Sequence, residues 1–205
     1  GSALQFMTLA GASLTNTGPT IIEGDVGVSP GTAATGLPPG IIDGTTHLAD
    51  PIAGTAQNDL TTAYNEAAAR SACVVSKIGD IGAQTLAPGL YKSTSSIEVN
   101  SADLTLDAQG DSNAVWIFQA ESTLLVSSNR KIILVNGAQA GNVYWKVGSS
   151  ATIGTNAAFQ GTILALVSIT ANTGASVHGR LLARNGSVTL DNNAITTPIA
   201  SEGGP

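Results

Sequence analysis

Hydrophobic positions follow two different periods along this chain. Over residues 55–72, Leu60, Ala63, Tyr64, Ala67 and Ser71 fall at i, i+3, i+4, i+7 and i+11, the stripe of an amphipathic helix. Thr55 or Asn58 is the expected N-cap, and Asp50-Pro51 ends what precedes it. Beyond the helix the period is two. Short alternating runs at 96–100, 104–106, 115–119, 124–126, 132–135 and 143–147 are separated by Asn, Gly, Ser or Asp, which predicts short strands. The last third also repeats. Ile153, Phe159, Gly161 and Ile163 have counterparts 18 residues on at Ala171, Val177, Gly179 and Leu181, and the phase continues to Leu190 and Ile195. A fixed period with Gly at one corner marks a solenoid, and about 18 residues suits one coil of a three-sided β-helix.

The repeat assigns three sides. Side one carries 115–119, 143–147, 162–166 and 180–184; side two carries 123–127, 151–155, 168–172 and 187–191. Side three takes the short pieces around 132, 159–161, 177–179 and 195–197. On side two, strand alternation turns Val126, Ile153, Ala171 and Leu190 inward. It turns Thr152, Thr170 and Thr189 outward, together with Gly154, Asn172 and Asp191. Side one is apolar on both phases and therefore needs cover on both faces. The helix is the available cover, so side two is expected to be bare. The fold class is thus mainly β: a three-sided β-helix with a single long α-helix packed along one side. Residues 4–30 are expected to join the stack next to the late coils.

Composition sharpens this picture. The chain has 205 residues, 42% hydrophobic, and only 11% are charged against about a quarter in an average globular protein. Such a chain is not disordered, and its longest nearly apolar stretch, 162–169, is far short of a membrane span. Four Lys and four Arg at a net charge of −6 leave no basic footprint for nucleic acid. Cys73, the only cysteine, rules out an internal disulfide and reads as a small buried hydrophobe. Gly1-Ser2 reads as a tag-cleavage scar, with any secretory signal already removed.

Catalytic chemistry finds little support. Asp191 and Glu98 lie far apart, Lys146 and Arg184 lack an obvious acidic partner, and His47 and His178 stand alone, the latter as a turn residue. Asp25, Asp80 and Asp111 each follow a Gly as single turn residues, without the repeated spacing of a calcium loop. No metal, cofactor or enzyme activity is expected. Trp116, Phe118, Tyr144 and Trp145 suit the core or the helix contact better than sugar stacking. What remains is the ladder of Thr152, Thr170 and Thr189. Thr is a good strand former and covers many exposed sheets with no further role. A chain-wide charge deficit combined with one uncovered, regular face points to more. Restricted χ1 fixes Thr methyls and hydroxyls, and a stiff array of them orders water at little entropic cost.

Several strings carry a resemblance: Ile22-Glu-Gly-Asp-Val-Gly-Val-Ser-Pro30, Leu86-Ala-Pro-Gly-Leu-Tyr-Lys92, Ala114-Val-Trp-Ile-Phe-Gln119, Gly137-Ala-Gln-Ala-Gly-Asn-Val-Tyr-Trp145, Phe159-Gln-Gly-Thr-Ile-Leu164 and Thr173-Gly-Ala-Ser-Val-His-Gly-Arg180. In order and spacing, over nearly the whole chain, the sequence resembles the microbial ice-binding (antifreeze) proteins. The resemblance implies a right-handed solenoid of triangular section with one helix alongside, secreted, that binds ice through a flat face. Some members carry Thr-Ala/Gly-X-Thr/Asn on that face. Thr170-Ala-Asn-Thr173 matches fully, Thr152-Ile-Gly-Thr155 and Thr189-Leu-Asp-Asn192 match at their ends, and Leu124-Leu-Val-Ser127 departs. Glu98 interrupts another rung with a charge, while Leu14-Thr-Asn-Thr-Gly18 adds one through Thr15 and Thr17. Residues 45–54 are shorter than the capping loop many relatives insert there.

The expected ice-binding grid is therefore Thr152, Gly154, Thr155, Thr170, Asn172, Thr173, Thr189, Asp191 and Asn192, with Ser127, Thr15 and Thr17. Residues 3–198 are expected to form one ice-binding domain, 1–2 the scar and 199–205 a flexible tail. The expected partner of this secreted monomer is an ice crystal surface, with no nucleic acid and no membrane span. The rival class is a cell-surface adhesion or glycan-binding β-solenoid.

Overall fold

The 18-residue repeat becomes the rise of a solenoid. A computed structural model describes residues 1–198, and the expected flexible tail at 199–205 lies outside the described residues. Strands pair in parallel with the equivalent strand one coil away, as in Thr152↔Thr170↔Thr189 on side two. Side two is an eight-stranded sheet. The whole is a right-handed, mainly β solenoid of three sides with one long helix.

The coils are not stacked in chain order. Val74–Ser76 opens the lowest coil, and the chain climbs through Gly89–Ser93, Trp116–Ala120, Val143–Val147, Ala158–Ala165 and Ser176–Ala183 on side one. The next coil is the N-terminus. Thr8 pairs with Leu181, Thr15 with Thr189 and Ile22 with Ile195, and a further coil begins at Asp25–Val28. The early residues sit next to the late coils, as expected. After Thr46–Leu48 the chain must return to the bottom, and helix α1 (Pro51–Ala69) makes that return along side one. Its 19 residues rise about 28 Å, roughly six inter-coil steps.

The helix starts and ends earlier than the apolar stripe predicts. Asp50 is the N-cap, its Oδ1 accepting from the Ala53 N–H at 2.8 Å, and Pro51 occupies the first turn, where its missing N–H costs nothing. Thr55 and Asn58 lie inside the helix, and Thr55 Oγ1 donates to the Pro51 carbonyl. Arg70 is already extended, so Ser71 and Ala72 lie outside. The Gln119 side chain closes the C-terminus by donating to the carbonyls of Ala67 (2.6 Å) and Arg70 (2.8 Å). The buried stripe is Ala53, Ala56, Leu60, Tyr64 and Ala67, packed on Phe6, Leu9, Leu164 and Leu182.

Inside the coils the aromatics stack along the axis. Tyr91, Phe118, Trp145 and Phe159 follow one another, with Phe118 and Trp145 nearly parallel at 3.9 Å between centroids. Side three differs from the repeat reading in one respect. Phe159-Gln-Gly161 and Val177-His-Gly179 are the first halves of continuous strands that turn the corner into side one, so both sides share one sheet there. Gly161 and Gly179 are paired at that corner. Cys73 is exposed, with a left-handed φ of 55° in the link from α1 to the lowest coil, which corrects its expected burial.

Single acidic residues tie coils together, although Asp80 and Asp25 lie in the short strands Gly79–Asp80 and Asp25–Val28 and not in the turns expected for them. Asp80 Oδ1 accepts from the N–H groups of Gly82 (2.8 Å) and Asn100 (3.0 Å), and its Oδ2 from that of Ser101 (2.8 Å). Burial opposes its charge, but the Ser101 side chain and these backbone donors outweigh it and hold the pKa at about 2, below the ordinary 3.8. A lowered folded-state pKa stabilises above the unfolded value and is lost as pH falls through the folded one. Melting curves should therefore show an acid-sensitive component between 3.8 and about 2 that Asp80→Asn lacks. A wild-type profile in the variant would remove Asp80 from this role.

Candidate functional site

Side two is the bare face, as expected. Its inward residues Leu14, Val126, Ile153, Ala171 and Leu190 are fully buried. Its central outward column runs Asp80, Glu98, Leu125, Thr152, Thr170, Thr189, Thr15 and Thr35 in stacking order. Five consecutive rungs are Thr, a straight row of about 19 Å at about 4.8 Å per rung. Thr15, expected to add a rung, stacks in line with Thr189. Thr35 escapes sequence reading, because Ala33–Thr35 is a three-residue strand among Gly and Pro with no alternation to mark it. Its offset of 20 residues from Thr15 is the one available signal.

The next outward positions along each strand are Ser127, Asn172, Asp191 and Thr17, in register with the Thr row. Gly154 does not belong with them. It is buried, and a Cβ there would stand 2.5 Å from the Ser128 nitrogen and 2.8 Å from the Val126 carbonyl. Glycine is present because the coil below comes that close, so the rung offers backbone, not a side chain. At the corner, Thr155 is half-buried while Thr173 and Asn192 are exposed, Asn192 with a φ of 51°. Thr173 Oγ1 donates to Asp191 Oδ2, which ties the one charge among the Thr rungs to a neighbouring hydroxyl. Ser127 Oγ donates to Asn100 Oδ1 at 2.7 Å.

Buried amides hold this corner in place. Asn16 Nδ2 donates to the carbonyls of Gly18 (2.9 Å) and Gly36 (2.8 Å), and Asn193 Nδ2 to those of Asn172 (2.9 Å) and Ala175 (3.1 Å). Asn193 Oδ1 also accepts from the Asp191 N–H at 2.7 Å, so this amide is bonded at both ends and rigidifies the backbone it binds. On the other flank a second hydroxyl row, Ser96, Thr123, Ser150, Ser168, Ser187 and Ser13, lies two residues before each central position. Ser96 and Thr123 hydroxyls are 2.7 Å apart, Ser13 and Ser187 hydroxyls 2.8 Å, and Ser168 and Ser187 N–H groups donate to Ser150 and Ser168 hydroxyls. These hydroxyls are spent on the neighbouring coil, on its hydroxyls or its N–H groups, and lock adjacent coils. Sequence reasoning missed them, though offsets of 27 residues from Ser96 to Thr123 to Ser150 and then of 18 and 19 to Ser168 and Ser187 mark them.

The remaining polar residues are structural. His178 lies on the strand Ser176–Ala183, half-buried, with Nδ1 2.9 Å from Thr196 Oγ1, and so is no turn residue. His47 Nδ1 is 2.7 Å from Asp50 Oδ2. Lys146 has an acidic partner after all, Glu121 at 3.7 Å, supplied from the next coil, and both Lys146 and Arg184 lie over the Tyr64 ring. Among the described residues no group of three or more His, Cys, Asp or Glu is placed to hold a metal. No helix among them is long and apolar enough to cross a membrane.

Fold and face together define a β-solenoid that presents a flat, stiff, nearly uncharged hydroxyl plane. The family model described as Ice-binding-like matches residues 8–196, and the chain belongs to this ice-binding family. An ice-binding protein of Nostoc sp. (strain HG1) is 46% identical over 197 residues, covering 96% of this chain and 72% of the relative. One from Flavobacterium frigoris (strain PS1) is 37% identical over 212 residues, covering 97% and 75%. Crystal structures of ice-binding proteins from an Antarctic biological consortium and from the Antarctic ascomycete Antarctomyces psychrotrophicus match with TM-scores of 0.96 and 0.92, at 54% and 40% identity. Each covers 97% of this chain, and the match spans 90% and 97% of theirs.

Proposed function

We propose that this protein adsorbs to ice through side two, depressing the freezing point and slowing recrystallisation. The row of five in-register Thr residues carries the reading: Thr152, Thr170, Thr189, Thr15 and Thr35. Ser127, Thr155, Asn172, Thr173, Asp191, Asn192 and Thr17 border it. Each Thr offers one methyl and one hydroxyl in a restricted rotamer, so the plane templates water without freezing out side-chain motion first. Immobilising each bound water costs at most about 2 kcal/mol, a cost a crystal face has already met. Bound molecules pin the advancing front, which curves between them and stops. No bond is made or broken, and no catalytic role is assigned. The face is complete within one chain, which supports a monomer, and ice as the partner supports action outside the cell by a single domain over 3–198.

The rival reading, glycan adhesion, relies on exposed aromatics that stack on sugars. Trp116, Phe118 and Trp145 are instead buried in the core. In a slow-freezing partition experiment the protein is expected to concentrate in the ice fraction relative to an inert protein of similar size. Exclusion from ice, together with a positive glycan array, would overturn the proposal.

A further inference from the structure

An ice face laid on side two strips water from any charge standing in that face, which is costly unless the charge is paired. Side two carries one such charge among its Thr rungs. Asp191 points outward two residues after Thr189, in line with Asn172 of the coil below and paired in register with Thr17 of the coil above. Yet Asp191 is half-buried where Thr17 and Thr189 are exposed. Its carboxylate is drawn off the plane into the corner.

Two coils make the seat for it. From below, the Thr173 hydroxyl donates to Asp191 Oδ2. From above, a Cβ at Gly18 would stand 3.6 Å from Asp191 Oδ1, so that glycine keeps the other carboxylate oxygen uncrowded. None of the ion pairs among the described residues includes Asp191, which leaves the Thr173 hydroxyl to satisfy its charge. The backbone here is fixed without that hydroxyl. The Asp191 N–H donates to Asn193 Oδ1, the Asp191 carbonyl accepts from the Gly174 N–H at 3.1 Å, and the Thr173 carbonyl accepts from the Asn156 N–H at 3.1 Å. Removing the Thr173 hydroxyl therefore frees the carboxylate and leaves the corner standing.

We propose that Thr173 is a positioning residue of side two, which serves ice binding by holding the Asp191 carboxylate off the plane; this rests on side two being the ice-binding face. Thermal hysteresis of whole-protein variants tests it. Thr173→Val keeps the shape but not the hydroxyl, and should lose most of the hysteresis as the unpaired carboxylate returns to the plane. Thr173→Ser, which keeps the hydroxyl, and Asp191→Asn, which removes the charge, should stay near wild type. The decisive protein is the double variant Thr173→Val with Asp191→Asn. It restores no hydroxyl, yet its hysteresis should recover to near the wild-type level, a non-additivity expected only of coupled residues. Circular dichroism and melting should be alike in all of them. A double variant as poor as Thr173→Val would make Thr173 a direct ice contact, and wild-type hysteresis in Thr173→Val would leave the pairing without a role; either overturns the proposal. Thr170→Tyr tells this failure from that of the face. Undiminished hysteresis in Thr170→Tyr overturns the face and the proposal together, whereas its loss there without rescue in the double variant overturns the role of Thr173 alone.

Discussion

Replacing Thr170 by Tyr is expected to abolish thermal hysteresis while circular dichroism and melting stay close to wild type. Thr170 is the second of the five Thr rungs, flanked in register by Thr152 and Thr189. Its side chain points outward, while its neighbours Ile169 and Ala171 fill the core. The fold therefore has little stake in the exchange, and surface substitutions of this kind stay within about 0.5 kcal/mol. The plane has everything at stake. A phenol ring stands well above the Thr methyls and holds the neighbouring rungs off a flat crystal face. Loss of a well-packed central contact costs an interface about 2 kcal/mol or more, a factor of about thirty in binding. Thr35→Tyr, at the terminal rung, should cost visibly less because only one Thr neighbour is lifted away. Wild-type hysteresis in Thr170→Tyr would mean that ice meets another face.

A large effect on stability is expected at Gly179. A Cβ there would stand 1.8 Å from the carbonyl oxygen of Gly161 in the coil below. Both are backbone atoms in paired strands, so neither retreats without breaking the corner shared by sides one and three. Gly179→Ala should cost about 4 kcal/mol or more, the range reserved for such built-in clashes. For a chain of this size that lowers the melting temperature by about 10 °C or more. Gly110→Ala is the control. Its φ is 91° but nothing lies within 4 Å of an added Cβ, so only backbone strain of about 1 kcal/mol is expected. Equal melting temperatures for the two variants would show that coil contact at the corner is looser than described.

Much of the fold is legible in the sequence because a solenoid is nearly one-dimensional. Each coil contacts only its neighbours, so a repeat of 18 residues translates directly into alignment along the axis. Ile153, Ala171 and Leu190 point inward and Thr152, Thr170 and Thr189 outward because strand alternation leaves no other choice. Gly161 and Gly179 are legible as a corner for the same reason, although not as the middle of continuous strands. The helix is legible as an element but not in its limits. The apolar stripe reports burial, whereas the start is set by Asp50 and Pro51, which lie before that stripe. Cys73 misleads because residue type says nothing of its place in an exposed link.

Sequence alone determined that one regular, sparsely charged face would be left uncovered. It did so through the repeat, the two-sided apolarity of side one and the existence of a single helix to cover it. Only the tertiary structure decided how long that face is. The N-terminal segment stacks beyond the last coil, and this puts Thr15 and Thr35 after Thr189 instead of 174 and 154 residues away. Thr35 becomes a fifth rung beside the four that the sequence offers, and Glu98 and Asp80 fall at the far end, outside the row. Gly154 likewise changed from an outward grid point to a buried contact, because closeness between coils is a property of backbone packing. Local alternation sets which way a side chain points; which coil lies beside which is set by non-local pairing, whose register no short stretch of sequence contains.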